Sequence, residues 1–225
     1  PHPISAPQLW AEIFGTTPPV ILDVRVREDL DRDPGWIPSA QRVDFQDVTA
    51  IQADGTGAAD VVVMCQGGLK LSQGVASRLA ARGRKARFLE GGVLAWRAAG
   101  LPIWRPDIEP NLWVSGWDRS PSRAAALWLA ARLLPRPHEI MLVAPDQIDA
   151  AAPRFEAAFL PDADALLALL DRPVPAVAGA LAAGATPVFE RLSAGHATRD
   201  LPGWRDAVMS TLDALVLGHK ARAAA

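Results

Sequence analysis

Residues 61–73, VVVMCQGGLKLSQ, constrain the fold of this chain more than any other stretch. Three valines and Met64 are typical of a short buried strand, and the single cysteine of the chain, Cys65, follows them directly. Two glycines come next, and apolar residues then recur at helical spacing from Leu71 onward. The stretch therefore predicts a strand, a tight loop and a helix, with Cys65 in the loop.

This position has chemical consequences for Cys65. The first N–H groups of a helix lack intrahelical partners, so they stabilise an anion in the loop before it and favour the thiolate form of a cysteine there. A free cysteine can also be simply a small buried hydrophobe at a strand end. A glycine pair and a lysine around the cysteine favour a nucleophile whose adduct is held by backbone N–H groups. The loop residues concerned are Gln66, Gly67, Gly68, Leu69 and Lys70.

The loop resembles the active-site loop of rhodanese-like sulfurtransferase domains, which reads Cys, two residues, Gly, one residue, Arg. Cys65, Gly68 and Lys70 keep that spacing, with lysine in place of arginine. Residues 23–40, DVRVREDLDRDPGWIPSA, are similar to the first motif of the family, and residues 90–102, EGGVLAWRAAGLP, to the second. Trp36 stands where the family commonly has histidine. Three motifs in the right order form a specific signal.

The resemblance implies a sulfurtransferase in which Cys65 takes a sulfane sulfur from a small anionic donor such as thiosulfate. The sulfur would be carried as a persulfide to a thiol or cyanide. The histidines, His2, His138, His196 and His219, are scattered without a ligand spacing to another His, Cys or carboxylate pair, so neither a metal site nor a cofactor is predicted. Residues 66–70 would bind the donor, and Asp23 and Arg25 would support the site. For Asp23 and Arg25, which lie two apart at a predicted strand end, a structural ion pair is the favoured interpretation.

Two rival functions need to be distinguished from sulfur transfer. The lysine at position 70 and the missing histidine are compatible with a sensor or adaptor that binds an oxyanion or a partner without turnover, linked to chromate or sulfur stress. Phosphatases of related fold have a loop one residue longer, with arginine six positions after the cysteine. Here the sixth position is Leu71, whose side chain donates nothing, so the loop is predicted to exclude a phosphoryl group.

Composition excludes several other classes of function. A net charge of -2 argues against nucleic acid or an anionic membrane as the main partner, and no stretch has the length of a membrane span. One cysteine excludes an intrachain disulfide framework and indicates a reducing, cytoplasmic compartment. Only three of the 23 basic residues are lysines and alanine is abundant, which suggests a bacterial source.

The length of 225 residues is comfortable for two domains. We expect residues 1–105 to form an α/β domain, a rhodanese-like open parallel sheet with helices on both faces. Its site would lie at the carboxyl ends of the strands. The predicted elements are a helix at 6–14, a strand at 20–24, a short helix and loop at 44–57, the strand and loop around Cys65, a helix ending near 82, a strand at 86–89 and a helix through Trp96.

After a proline-rich linker at 102–110, residues 109–225 are predicted to form a smaller, mainly helical α/β or α+β domain of unknown role. Its predicted elements are strands at 112–115 and 140–144, a helix at 120–134 and several later helices, the last at 201–220. LWVSGWDRSPSRAAALWLAARLL and IMLVAPDQI are similar to the domain of chromate-resistance proteins, which in bacteria can be fused to a rhodanese-like domain. That family has a cysteine and a proline where Ala126 and Leu127 stand here. This half could contact a protein partner.

Overall fold

A computed structural model describes residues 1–15, 17–47, 60–104, 112–116, 120–174 and 210. Two compact units are present: the first comprises residues 1–108 and 133–136, and the second residues 109–132 and 137–225. The short helix and loop predicted at 44–57 lie largely outside the described residues, and so does the helix predicted at 201–220.

The first unit is built on a five-stranded sheet in which every pair of neighbours is parallel. Its strands are β1 (His2–Ile4), β2 (Val20–Asp23), β3 (Ala40–Arg42), β4 (Val61–Met64) and β5 (Ala86–Leu89), in the order β1-β5-β4-β2-β3. Helices flank the sheet: α1 (Ala6–Ile13), α2 (Arg27–Arg32), α3 (Lys70–Ala80) and α4 (Gly92–Ala98). The predicted open parallel α/β fold is confirmed.

The central strand β4 is buried along its whole length, as its run of valines predicts. It lies between β2 and β5. Val75 and Ala76 of α3 belong to the same hydrophobic cluster as the β4 residues Val61 and Val63. Because the sheet is parallel, the carboxyl ends of β2, β4 and β5 meet at one edge. Cys65 follows the end of β4 at that edge.

The first helix illustrates how closely local sequence sets an element boundary. Ser5 caps α1 and forms a capping box with Gln8, whose backbone N–H donates to the Ser5 hydroxyl at 3.4 Å. Leu9 and Ile13 are fully buried on the core face of the helix. The predicted helix at 6–14 is thus confirmed to within one residue.

Residues 133–136 also belong to the first unit. Ser39 N–H donates to the Leu133 carbonyl at 3.0 Å, and Arg136 N–H donates to the Ala40 carbonyl at 3.0 Å. Gln41 and Arg136 form a parallel bridge. The pairing of residues 133–136 with β3 was not predicted, because the two segments are separated by about ninety positions and no local pattern connects them.

The second unit contains a three-stranded parallel sheet in the order β7-β6-β8. Its elements are β6 (Leu112–Gly116), α5 (Pro121–Leu133), β7 (Glu139–Val143), α6 (Ile148–Arg154), β8 (Ala158–Phe159) and α7 (Ala163–Ala168), with a 3₁₀ turn at Pro145–Gln147. The predicted strands at 112–115 and 140–144 and the helix at 120–134 agree with β6, β7 and α5. Within α5, Trp128 is fully buried.

Candidate active site

Cys65 lies at the junction of β4 and the loop that leads into α3. Cys65 is 5% exposed, and it packs in the same hydrophobic cluster as Val63 and Val75. The loop continues through Leu69, and α3 begins at Lys70. The predicted order of strand, loop and helix around Cys65 is therefore confirmed.

Two glycines allow the loop to fold tightly against the start of α4. Gly68 has φ +65, and a Cβ on it would lie 2.5 Å from the Leu89 carbonyl oxygen and 2.6 Å from the Gly92 nitrogen. A Cβ on Gly92 would lie 2.1 Å from the Cys65 carbonyl oxygen. No side chain fits at either position, so the fold requires glycine at both.

Hydrogen bonds from α4 fix the direction of the loop peptides. Val93 N–H donates to the Cys65 carbonyl and Leu94 N–H to the Gln66 carbonyl, each at 3.1 Å. The C=O and N–H of a trans peptide point in opposite directions, so the N–H groups of Gln66 and Gly67 face away from α4. Backbone donors are thereby oriented by the fold before any ligand binds.

A cleft of about 390 Å³ opens beside the thiol. Lys70 and Leu69 line it and are exposed, Leu69 by 68%. Asp29 on α2 also lines the cleft. The full lining is Asp29, Cys65, Gln66, Gly67, Leu69, Lys70, Leu71 and Gln73.

The start of α3 carries two polar side chains that contact the loop. Ser72 is fully buried, and its hydroxyl oxygen lies 3.2 Å from the Cys65 sulfur. The same hydroxyl donates to the Leu69 carbonyl at 3.3 Å. Gln73 donates from its side-chain amide to the Gly68 carbonyl at 3.0 Å.

Asp33 connects the loop to the neighbouring helices. Its carboxylate accepts hydrogen bonds from Arg97 on α4, at 2.9 Å to Nε, and from the Gln66 amide at 3.4 Å. Burial raises the pKa of the Asp33 carboxyl, but the hydrogen bond and charge of Arg97, with smaller effects of Gln66 and Arg25, outweigh burial and lower the pKa from its ordinary value. Asp33 is therefore an anion at neutral pH.

Asp23 and Arg25 form a buried ion pair and do not line the cleft. Arg25 Nη2 lies 2.7 Å from an Asp23 carboxylate oxygen, with both side chains inaccessible to solvent. Arg25 also donates to the carbonyl oxygens of Asp33 and Gly35, at 2.7 and 2.8 Å. These contacts fit the structural interpretation of the pair, which holds the segment after α2 in place.

Of the predicted donor-binding residues, Gln66, Gly67, Leu69 and Lys70 line the cleft with Cys65. Gly68 does not line the cleft, and it packs against Leu89, Gly91 and Gly92 instead. Sequence reasoning did not single out Asp29, Asp33, Ser72 or Arg97. Arg97 and Asp33 are 64 positions apart, and only the fold makes them neighbours. Ser72 could have been found as a polar residue on the otherwise apolar face of the predicted helix.

The site lies within a recognised domain. The model of the rhodanese-like domain family matches residues 5–99. These residues form a rhodanese-like domain. Among the described residues, no group of three or more His, Cys, Asp or Glu side chains is placed to hold a metal ion. The helices in the described ranges include none with the length and apolarity needed to cross a membrane.

Part of the domain is similar to a curated protein and to solved structures. The HTH-type transcriptional regulator Rv0324 of Mycobacterium tuberculosis is 34% identical over 84 residues, which is 37% of this chain and 36% of the regulator. A rhodanese-like domain protein from Staphylococcus aureus is 27% identical over 43% of this chain and 91% of its own, with a TM-score of 0.38. A thiosulfate sulfurtransferase from Pseudomonas aeruginosa is 25% identical over 48% of this chain and 20% of its own, with a TM-score of 0.40. The chain thus spans about a third of the curated relative.

Proposed function

We propose that the rhodanese-like domain is a sulfurtransferase that carries a sulfane sulfur as a persulfide on Cys65. The observation that supports this most is the loop itself. The carbonyls of Cys65 and Gln66 accept hydrogen bonds from α4, and the N–H groups of Gln66 and Gly67 face away from α4. The free thiol of Cys65 lies at the start of the loop. The match of residues 5–99 to the rhodanese-like family supports the same class of reaction.

The proposed donor is a small anion with a sulfane sulfur, such as thiosulfate. Lys70 is exposed at the cleft, and no carboxylate among the described residues forms an ion pair with it, so its charge is available to an anion. The Cys65 thiolate attacks the outer sulfur, the donor S–S bond breaks, and its electron pair leaves with sulfite. A thiol or cyanide then removes the bound sulfur.

The loop length supports sulfur rather than phosphate as the transferred group. Six residues run from Cys65 to Lys70, and the cation at the end is a compact ammonium that cannot grip two oxygens at once. A phosphoryl group needs a wider ring of donors and a bidentate guanidinium. We therefore expect the protein to show no Cys65-dependent hydrolysis of a phenyl phosphate ester.

Thiocyanate formation from thiosulfate and cyanide tests the proposal. We expect wild-type protein to turn over and Cys65→Ser to fall to the background rate, because a serine hydroxyl cannot form a persulfide. The substitution removes little volume at a buried site, so thermal unfolding provides the control for folding. Equal rates for the two proteins would refute the proposal.

A second candidate function is a sensor that binds an oxyanion or is modified on Cys65 without multiple turnover. It is favoured by the similarity to a protein named as a transcriptional regulator and by lysine in place of arginine at position 70. A sensor of this kind would show a free, reactive thiol but no thiocyanate formation. In that case the mass of thiosulfate-treated protein decides whether Cys65 accepts sulfur at all.

A further inference from the structure

Ser72 differs from an ordinary helical serine in what its hydroxyl contacts. Ser77, on the same helix, is exposed and donates to the Gln73 carbonyl at 2.8 Å, which is the common back-bond to the preceding turn. Ser72 is fully buried, and its hydroxyl oxygen lies 3.2 Å from the Cys65 sulfur. A buried hydroxyl needs a partner, and this one has two: the sulfur and the Leu69 carbonyl.

The two contacts cannot both receive the single hydroxyl proton. In the neutral thiol state, the Cys65 S–H donates to the Ser72 oxygen, and Ser72 donates to the Leu69 carbonyl. A thiolate has no proton to donate and is a strong acceptor, so the hydroxyl then turns its proton to the sulfur. The Leu69 carbonyl keeps the Gln73 N–H at 3.1 Å, which makes this rotation inexpensive.

We propose that Ser72 is a catalytic residue whose hydroxyl donates to the Cys65 sulfur whenever that sulfur carries negative charge. The inference deepens the proposed sulfurtransferase function and rests on it for its catalytic part. Ser72 touches the reacting atom, whereas Lys70 lies at the exposed mouth of the cleft. The two residues therefore act on different charges, the leaving thiolate and the incoming donor.

The hydroxyl should matter most when the persulfide is consumed. When cyanide attacks the outer sulfur, a carbon–sulfur bond forms, the bond from Cys65 Sγ to that sulfur breaks, and the electron pair stays on Sγ as thiocyanate leaves. The charge on Sγ grows in this step, so a donor to Sγ stabilises the transition state more than the persulfide. In the first step the hydroxyl already stabilises the starting thiolate, and its net effect on the rate is smaller.

The test compares Ser72→Ala with Ser77→Ala, the same change on the same helix, and with Ser72→Thr, which keeps the hydroxyl. Iodoacetamide alkylation of Cys65 is followed as a function of pH, and the thiosulfate and cyanide half-reactions are measured separately by stopped flow. In Ser72→Ala we expect the pH of half-maximal alkylation to rise by about one unit and the cyanide step to slow about tenfold, since the variant loses a hydrogen bond to a charged sulfur. The thiosulfate step should change less than the cyanide step, and Ser77→Ala should match wild type.

Each outcome decides the proposal. An unchanged alkylation profile in Ser72→Ala, or equal slowing by Ser77→Ala, overturns it. Recovery of the wild-type profile in Ser72→Thr supports it and excludes a packing defect as the cause. If alkylation shifts as expected but no protein takes up sulfur from thiosulfate, the sulfurtransferase function fails while the hydrogen bond of Ser72 to the thiolate stands.

Discussion

Gly68 and Gly67 are adjacent glycines with different structural demands, and only one of them is required by the site. Gly68 has positive φ and no room for a Cβ beside Gly91, Leu89 and Gly92. A Cβ on Gly67 would meet only the Leu69 side chain, at 3.7 Å. The family spacing of cysteine and glycine therefore reflects the geometry at Gly68.

Replacing Gly68 by Ala should lower the free energy of unfolding by about 2 kcal/mol or more, from backbone strain and overpacking together. Gly67→Ala should have a much smaller effect. Urea unfolding of both variants measures this difference. Equal stability of the two variants would show that the loop does not close on α4 as described.

Lys70 is the residue expected to attract the donor. Lys70→Ala should raise the KM for thiosulfate roughly twofold to fivefold, as expected for loss of one exposed charge interaction, and slow persulfide formation. Alkylation by neutral iodoacetamide should change little, because that reagent carries no charge. Lys85→Ala is a suitable control, since Lys85 is exposed and its carbonyl accepts from Val61 at the opposite end of β4. Unchanged thiosulfate kinetics in Lys70→Ala would contradict the role given to this cation.

At the scale of elements, the strand, loop and helix around Cys65 were predictable from sequence because β4 is a run of buried valines and α3 has an apolar face. The short strands β1 and β3 were not predicted, since three residues carry too little periodicity. Helix α2 was also missed. It buries no residue, and its acidic first turn and basic last turn stabilise it through the helix dipole instead.

The site was predicted only where one continuous stretch of sequence builds it. Cys65 and the loop to Lys70 are contiguous, and their spacing was informative. The contacts of Gln66 with Asp33, and of Asp33 with Arg97, join residues far apart in sequence that the parallel sheet brings to one edge. No local pattern encodes such contacts.

Asp33 links α4 to the segment after α2, and its ionisation makes that link dependent on pH. The pKa of Asp33 is lowered in the folded protein, so its contribution to stability is fully present above the pKa of the unfolded chain, near 4, and is lost as pH falls through the folded value. Asp33→Asn should therefore reduce the free energy of unfolding by about 1 kcal/mol at pH 7 and by less at pH 3.

Asp31→Asn is the matched control for this measurement, because Asp31 forms an exposed pair with Arg27 at 2.9 Å and should contribute little at either pH. Urea unfolding at the two pH values gives the differences directly. A wild-type minus Asp33→Asn difference that is the same at pH 7 and pH 3 would rule out an ionised Asp33 as the link.

At the scale of the whole molecule, the family match ends at residue 99, and the second unit has a separate three-stranded sheet. The similarity of residues 112–134 and 140–148 to chromate-resistance proteins stays a prediction, as does any partner of this unit. The agreement of β6, α5 and β7 with predicted elements concerns secondary structure alone. The chemistry proposed for the chain therefore rests on the first unit.

The central claim is that Cys65 accepts and releases one sulfur atom. Intact-mass measurement of the full chain after brief exposure to thiosulfate tests it most directly, with Cys65→Ser as the control. We expect wild-type protein to gain the mass of one sulfur, to lose it on addition of cyanide, and the variant to gain nothing. No gain of mass by wild-type protein whose Cys65 is still alkylated by iodoacetamide would contradict the account.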